Sequence, residues 1–131
     1  MTPATATPPA TPPRVTPDDL LRMPDGGKGY ELVDGQLKEL NVGARSCRVG
    51  GRVVSRLDRY CDEQQPGWVF PADTSFRCFP DDPGKVRRPD GAFVAVDRYT
   101  AEQYEAEGHV SVCPDLVVEV ISPNDLYSEV N

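Results

Sequence analysis

The chain has 131 residues, with 14 Pro, 11 Gly, four Cys and one His, and its formal net charge is −7. This length allows one domain at most, and the acidic balance is atypical of nucleic-acid-binding domains, although a local basic face can coexist with it. Because there is no CxxC pair, signal peptide or apolar run of about 20 residues, we expect a cytoplasmic protein with reduced thiols, no zinc site and no membrane segment.

The N-terminal part divides into a tail and the start of a domain. Residues 1–15 consist mainly of Thr, Ala and Pro, a composition that predicts disorder, and residues 16–131 are expected to form the domain. Thr16 precedes Pro17 and two acids, which predicts the N-cap and first turn of a short helix. Further on, Asp34-Gly35 lies between two short strand-like runs and predicts a two-residue β-hairpin.

A long helix is predicted over residues 44–65. At 100° per residue its apolar side chains share one broad face: Val49, Val53, Val54, Leu57, Tyr60 and Cys61. A narrow neighbouring arc carries five arginines, Arg45, Arg48, Arg52, Arg56 and Arg59. Together with Arg88, these arginines are the candidate nucleic-acid-binding residues, since cationic side chains neutralise phosphates. The alternative is a solvated helix face, which is how most charge stripes are used.

The second half of the chain is dominated by strand patterns. Residues 68–70 and 74–79 predict two short strands or one bent strand, and residues 88–96 and 115–121 predict two more, separated by a short helix that Thr100 caps. The single His109 is interpreted as a surface or loop histidine. The order of helix, hairpin, long helix and strands predicts an α+β domain with a mixed central sheet flanked by helices.

Asp90 and Glu119 are the candidate metal ligands. Glu119 interrupts the apolar run Leu-Val-Val-Glu-Val-Ile, where a carboxylate is unfavourable unless it is protonated, paired or bound to a metal. If the two strands are neighbours, the carboxylates of Asp90 and Glu119 converge and share Mg²⁺ or Mn²⁺. Asp115 alternates onto the same strand face as Glu119 and is a secondary ligand candidate. In the structural alternative, Asp115 opens a strand and Glu119 pairs with an arginine or faces solvent.

Four segments, taken in order, resemble the Uma2 family of bacterial endonucleases: YELVDG, the long helix, VRRPDGAFV and PDLVVEVISPND. That family resembles the PD-(D/E)xK restriction endonuclease superfamily, and the likeness covers the chain from Thr16 onward. It implies a restriction endonuclease-like fold and Mg²⁺-dependent hydrolysis of phosphodiester bonds in nucleic acid, with DNA as the first candidate. By residue, it matches Asp90 and Glu119 with the two motif acids, and Glu31 with a recurring family acid that we count as a catalytic candidate.

The sequence departs from the family pattern in three places. Ile121 stands where the motif has its lysine, and the resemblance implies a lysine from the following helix, which has barely begun at Asn131. Ser46-Cys47-Arg48 replaces a frequent histidine. The family also continues with further strands, so we expect a domain without its C-terminal part, an exposed apolar strand, either low solubility or homodimer formation, and weak or no cleavage. A noncatalytic nucleic-acid-binding or protein-interaction module that keeps the nuclease fold is the alternative.

Overall fold

The computed structural model describes residues 14–40 and 43–121. This part of the chain contains, in order, α1 (Pro17–Arg22), β1 (Tyr30–Val33), β2 (Gln36–Glu39), α2 (Ala44–Gln64), β3 (Gly67–Pro71), β4 (Gly91–Ala95), α3 (Ala101–Glu105) and β5 (Leu116–Val118). Short 3₁₀ turns follow α1 and β4, at Pro24–Gly27 and Val96–Arg98. None of the described helices is both long and apolar enough to cross a bilayer.

The strands form two antiparallel sheets, a β1-β2 hairpin and a three-stranded sheet in the order β3-β4-β5. This arrangement confirms the predicted α+β class. The predicted mixed sheet is not seen: within the described residues all strand pairs are antiparallel, and the only parallel pairing is an isolated bridge between Phe76 and Val110. The strand predicted over residues 74–79 is likewise reduced to bridges at Phe76, because the neighbouring segments touch it only at single positions.

Local hydrogen bonds explain the N-terminal elements. The Thr16 side chain accepts from the Asp19 amide and the Asp19 carboxylate accepts from the Thr16 amide, a capping box that begins α1. At the hairpin, Asp34 and Gly35 both have positive φ, 54° and 73°, the conformation that a type I′ turn requires. Both predictions are confirmed.

Two apolar clusters hold the sheets. The larger lies on one face of β3-β4 and contains Phe70, Phe76, Ala92, Val94 and Tyr99. The smaller joins α1 to the hairpin through three side chains with no exposed surface, Leu20, Leu32 and Val86.

Val15, the last residue of the predicted tail, contacts the domain. Val15 packs against the smaller cluster, and its amide donates to the Gly35 carbonyl at 2.8 Å. Residue 15 therefore belongs with the domain rather than with the predicted tail, whose first 13 residues lie outside the described part.

The helix α2 covers the opposite face of the sheet, over β3 and β4. A Cβ on Gly91 would lie 2.6 Å from Val54 Cγ2, so glycine permits the close approach of helix and strand. Gly50, Val54 and Cys61 lie on the side of α2 that faces the sheet, and Gly50 and Cys61 are buried. The predicted apolar face is therefore only partly covered: within the described structure Val49, Val53 and Tyr60 remain 42%, 36% and 58% exposed.

A disulfide joins Cys78 to Cys113, whose Cα atoms are 5.1 Å apart. That separation lies within the ordinary range for a disulfide. The expectation of four reduced thiols is therefore wrong for this pair. Cys47 and Cys61 are free.

Candidate active site

Asp90 and Glu119 lie at the same end of the β4-β5 ladder. Gly91 pairs with Val118 as the last ladder pair, and the same antiparallel register puts Asp90 and Glu119 one step beyond it. The Asp90 carboxylate accepts the Val120 amide at 2.7 Å, so this carboxylate lies against the backbone directly past β5. The structure therefore brings the two candidate ligands onto adjacent segments.

The side chains around this point divide between the two sides of the sheet. Cβ atoms placed on Gly91 and Gly50 would lie 3.5 Å from the side chains of Val118 and Val120, so both valines lie toward α2. Because side chains alternate along an extended chain, the Glu119 side chain between them is directed to the other side. The Asp90 side chain lies on the α2 side, because its Cβ is 3.6 Å from a Cβ placed on Gly50. The side chains of Asp90 and Glu119 are therefore directed to opposite sides of the sheet at this point, although the residues are neighbours along the backbone.

A cleft of about 420 Å³ opens beside Asp90, between α2 and the end of β3. Its walls include Cys47, Gly51 and Asp58 from α2 and Pro71 from β3. Of these residues, only Cys47 was noted from the sequence, within the Ser46-Cys47-Arg48 stretch that replaces a frequent histidine. The signal that could have located them is the Gly50-Gly51 pair inside a helix, where glycine is unfavourable unless something must approach closely.

Asp115 lies at the opposite end of β5 from this site. Its carboxylate accepts the Ala95 amide at 2.8 Å and pairs with Arg98 at 2.7 Å. The hydrogen bond from Ala95 lowers the pKa of Asp115, and Arg98 adds to the effect. Four residues of extended chain, about 13 Å, separate Asp115 from Glu119. The structure thus does not bring this secondary candidate to Asp90. Asp115 instead binds the turn that follows β4.

Glu31 and Arg88 are buried, with 4% and 5% of their surface exposed. Glu31 accepts the Arg88 amide at 2.7 Å, and the Arg88 guanidinium donates to the carbonyls of Gly26, Tyr30 and Asp73. Burial lowers the pKa of Arg88, while Asp73 and Glu31 oppose that shift. In this conformation the candidate nucleic-acid-binding residue Arg88 is not accessible to a phosphate, and the catalytic candidate Glu31 is buried beside it.

The five α2 arginines, by contrast, are all exposed. With 100° per residue, they lie within about 60° of the direction opposite to Gly50. They therefore face away from the sheet and from Asp90. Shallow grooves between them expose the apolar side chains of Val49 and Val53.

His109 has structural partners. Its ring nitrogens lie 2.8 Å from Ser75 Oγ and 2.9 Å from the Pro17 carbonyl. Since Ser75 is only 9% exposed, this pair joins a loop to α1 and does not form an accessible nucleophile. The interpretation of His109 as a loop histidine agrees with this position, although the residue is half-buried rather than on the surface.

The comparisons with known proteins agree with this architecture. A family model described as "Uma2: Putative restriction endonuclease" matches residues 17–130. The chain belongs to the Uma2 family. Among solved structures, this Uma2 chain is similar to "a putative nuclease belonging to DUF820" from Anabaena variabilis ATCC 29413, with a TM-score of 0.65 and 17% sequence identity. The match covers 88% of this chain and 63% of that one. No match was found among curated proteins.

At this identity the structural likeness shows the fold alone, and it confirms the restriction endonuclease-like architecture expected from the sequence. The described residues of the Uma2 chain contain no group of three or more His, Cys, Asp or Glu side chains that could hold a metal ion. Asp90 and Glu119 supply two carboxylates, which suit a hard cation that keeps several waters. They are a partial ligand set, and binding of both to one ion requires the Glu119 side chain to turn around the end of β5 toward Asp90.

Proposed function

We propose that this chain carries a metal-dependent nuclease site at the end of the β4-β5 ladder, with Asp90 and Glu119 as ligands of Mg²⁺ or Mn²⁺. Membership of the Uma2 family supports a nuclease. The observation that carries the site is the placement of both acids one step beyond the Gly91–Val118 pair. The proposed reaction is hydrolysis of phosphodiester bonds in nucleic acid, with DNA as the first candidate.

In this proposal the chain's own residues orient the Asp90 carboxylate and keep it open to metal and substrate. The Val120 amide holds the Asp90 carboxylate in place, and the cleft beside α2 leaves Asp90 accessible. When bound, the metal ion supplies an activated water and stabilises charge on the phosphate.

The exposed α2 arginines are proposed to bind phosphates. Because they face away from Asp90, these phosphates would lie away from the scissile bond. Arg88 is not part of this surface, since its guanidinium is buried against three carbonyls. The partner in this proposal is a nucleic acid long enough to reach both α2 and the cleft.

Cleavage of plasmid DNA with Mg²⁺ or Mn²⁺ tests the site. Asp90→Asn and Glu119→Gln are each expected to lower the rate by at least about a hundredfold, since each removes a charged group from the reacting centre. Asp115→Asn is the matched control, because it makes the same change at the other end of β5 and should leave the rate unchanged. Full cleavage by Asp90→Asn, or equal loss in Asp115→Asn, would contradict the site.

Binding without cleavage is the second candidate. It is favoured by Ile121, which occupies the lysine position of the motif, and by the two-carboxylate ligand set. In that case the chain binds DNA, no divalent metal produces cleavage, and Asp90→Asn binds DNA as well as the unchanged chain.

A further inference from the structure

The segment before Asp90 is held on both sides. Val86 exchanges two backbone hydrogen bonds with Leu32, both 2.9 Å, and Arg87 exchanges two with Phe76, at 2.9 and 3.0 Å. The chain that leads to Asp90 is thus fixed between the hairpin and the Phe76 segment.

At Val86 the segment pairs with β1 through backbone hydrogen bonds, whereas at Arg88 it pairs with β1 through side chains. The antiparallel bridge between Leu32 and Val86 puts Tyr30 opposite Arg88. In place of a backbone pair, the Arg88 amide donates to Glu31 Oε2 at 2.7 Å, and Arg88 Nε donates to the Tyr30 carbonyl at 2.9 Å. Two buried side chains therefore take over the two hydrogen bonds at this position.

This exchange is supported by charge. The remaining guanidinium nitrogens of Arg88 donate to the carbonyls of Asp73 and Gly26, and Glu31 also pairs with Arg87 Nε at 3.1 Å. A buried charge is tolerated only when it is paired and hydrogen-bonded. Removing the carboxylate of Glu31 therefore affects both arginines and the four chain segments that they join.

The connection from this cluster to Asp90 is short and stiff. Only Pro89 lies between Arg88 and Asp90; it is buried, its ring fixes φ, and it restricts the backbone of Arg88 to extended conformations. On the other side, Gly91 is confined beneath Val54. The position of Arg88 therefore determines where the Asp90 carboxylate lies.

We propose that Glu31 and Arg88 are positioning residues, which form a buried clamp that holds Asp90 against the Val120 amide. This inference deepens the proposed function and rests on it for the role of Asp90 as a ligand. It assigns to Glu31 and Arg88 an indirect role in place of direct contact with metal or phosphate.

Amide hydrogen exchange of Val120 is the first test, because its N–H donates to Asp90 and reports where that carboxylate is held. In the full chain, Glu31→Gln and Arg88→Lys are each expected to speed this exchange by at least about tenfold. Trp68→Phe is the matched control: it removes a hydrogen bond from Trp68 Nε1 to the Tyr99 carbonyl, 3.1 Å, near the far end of β3. This control should lower stability and leave the Val120 exchange unchanged.

Unchanged Val120 exchange in folded Glu31→Gln and Arg88→Lys overturns the clamp. Should both variants fail to fold, Pro89→Ala decides, because it loosens the link to Asp90 and leaves the clamp itself intact. Faster Val120 exchange in Pro89→Ala supports the proposal, and unchanged exchange overturns it.

Calorimetry with Mn²⁺ separates this inference from the proposed function. We expect Mn²⁺ affinity to fall about tenfold in Glu31→Gln and to stay unchanged in Trp68→Phe. Equal Mn²⁺ binding by Asp90→Asn and the unchanged chain would remove the metal assignment, while Val120 exchange would still decide whether the clamp exists. Full Mn²⁺ affinity in Glu31→Gln, with binding lost in Asp90→Asn, would overturn the positioning role.

Discussion

His109 shows how a single residue couples burial to protonation. The Pro17 carbonyl can only accept, so Nε2 of His109 carries the proton, and Nδ1 accepts from the Ser75 hydroxyl. Burial lowers the pKa of His109, and the nearby Arg88 and Arg77 act in the same direction. The Pro17 carbonyl and Asp18 oppose the shift. The folded protein therefore favours the neutral imidazole.

This preference predicts a pH-dependent stability. The unfolded chain takes up a proton near its ordinary pKa of 6.5, while the folded chain does so only at lower pH. The contribution of His109 is therefore complete above pH 6.5, and it is lost as the pH falls through the lower folded pKa. Urea unfolding between pH 5 and 8 should show this decline, and His109→Gln should flatten it. An identical pH dependence in His109→Gln would contradict the prediction.

At the scale of elements, the features determined by neighbouring residues could be predicted from the sequence. The capping box at Thr16, the positive φ angles of Asp34-Gly35 and the second capping box at Thr100 are each closed within three or four residues. The long helix was predicted over residues 44–65 and is observed over Ala44–Gln64. These signals depend on short-range hydrogen bonds and dihedral preferences, so they need no knowledge of the tertiary fold.

What the sequence could not show depends on distant partners. The bond between Glu31 and Arg88 joins residues 57 apart, and no periodicity marks it. Helical spacing placed Val49 and Val53 on an apolar face of α2. It could not show that the sheet covers the side of the helix that carries Gly50 and Val54 and leaves Val49 and Val53 partly exposed. The placement of Asp90 beside the chain past β5 likewise depends on strand pairing, which residue patterns alone did not determine.

The helix α2 predicts a salt effect. If its arginines bind phosphates, Arg52→Ala should lower the slope of log affinity against log salt by about 0.7–0.9, one phosphate contact. Arg22→Ala is the matched control, because Arg22 is an exposed arginine of α1, 3.8 Å from Asp19, and lies outside the α2 arc. Fluorescence anisotropy with labelled DNA at several salt concentrations measures both slopes. Equal slopes for Arg52→Ala and the unchanged chain would show that the α2 arginines form a solvated helix face and do not bind phosphates.

At the scale of the whole molecule, β5 leaves apolar surface at the edge of the described sheet. It pairs with β4 on one side, and Leu116 and Val117 are 48% and 51% exposed. Exposed apolar strands at a sheet edge favour association between copies. The homodimer expected from the sequence is therefore proposed to form through this edge.

Val117→Lys should shift the chain toward monomer, because an edge lysine opposes strand pairing. Val96→Lys is the matched control, since Val96 is 58% exposed and lies outside β5. Light scattering after size-exclusion chromatography, at several protein concentrations, measures the mass of each variant. A monomeric unchanged chain, or equal association by Val117→Lys, would contradict this interface.

The Cys78–Cys113 disulfide closes a covalent ring that contains β4, α3 and Asp90. A protease that cuts the backbone once inside residues 79–112 opens the ring but releases nothing, because the sulfurs still tether the two pieces. The pieces would migrate together on a gel until a reductant is added. Loss of the strand next to Asp90 thus requires two independent chemical events, a broken peptide bond and a broken disulfide.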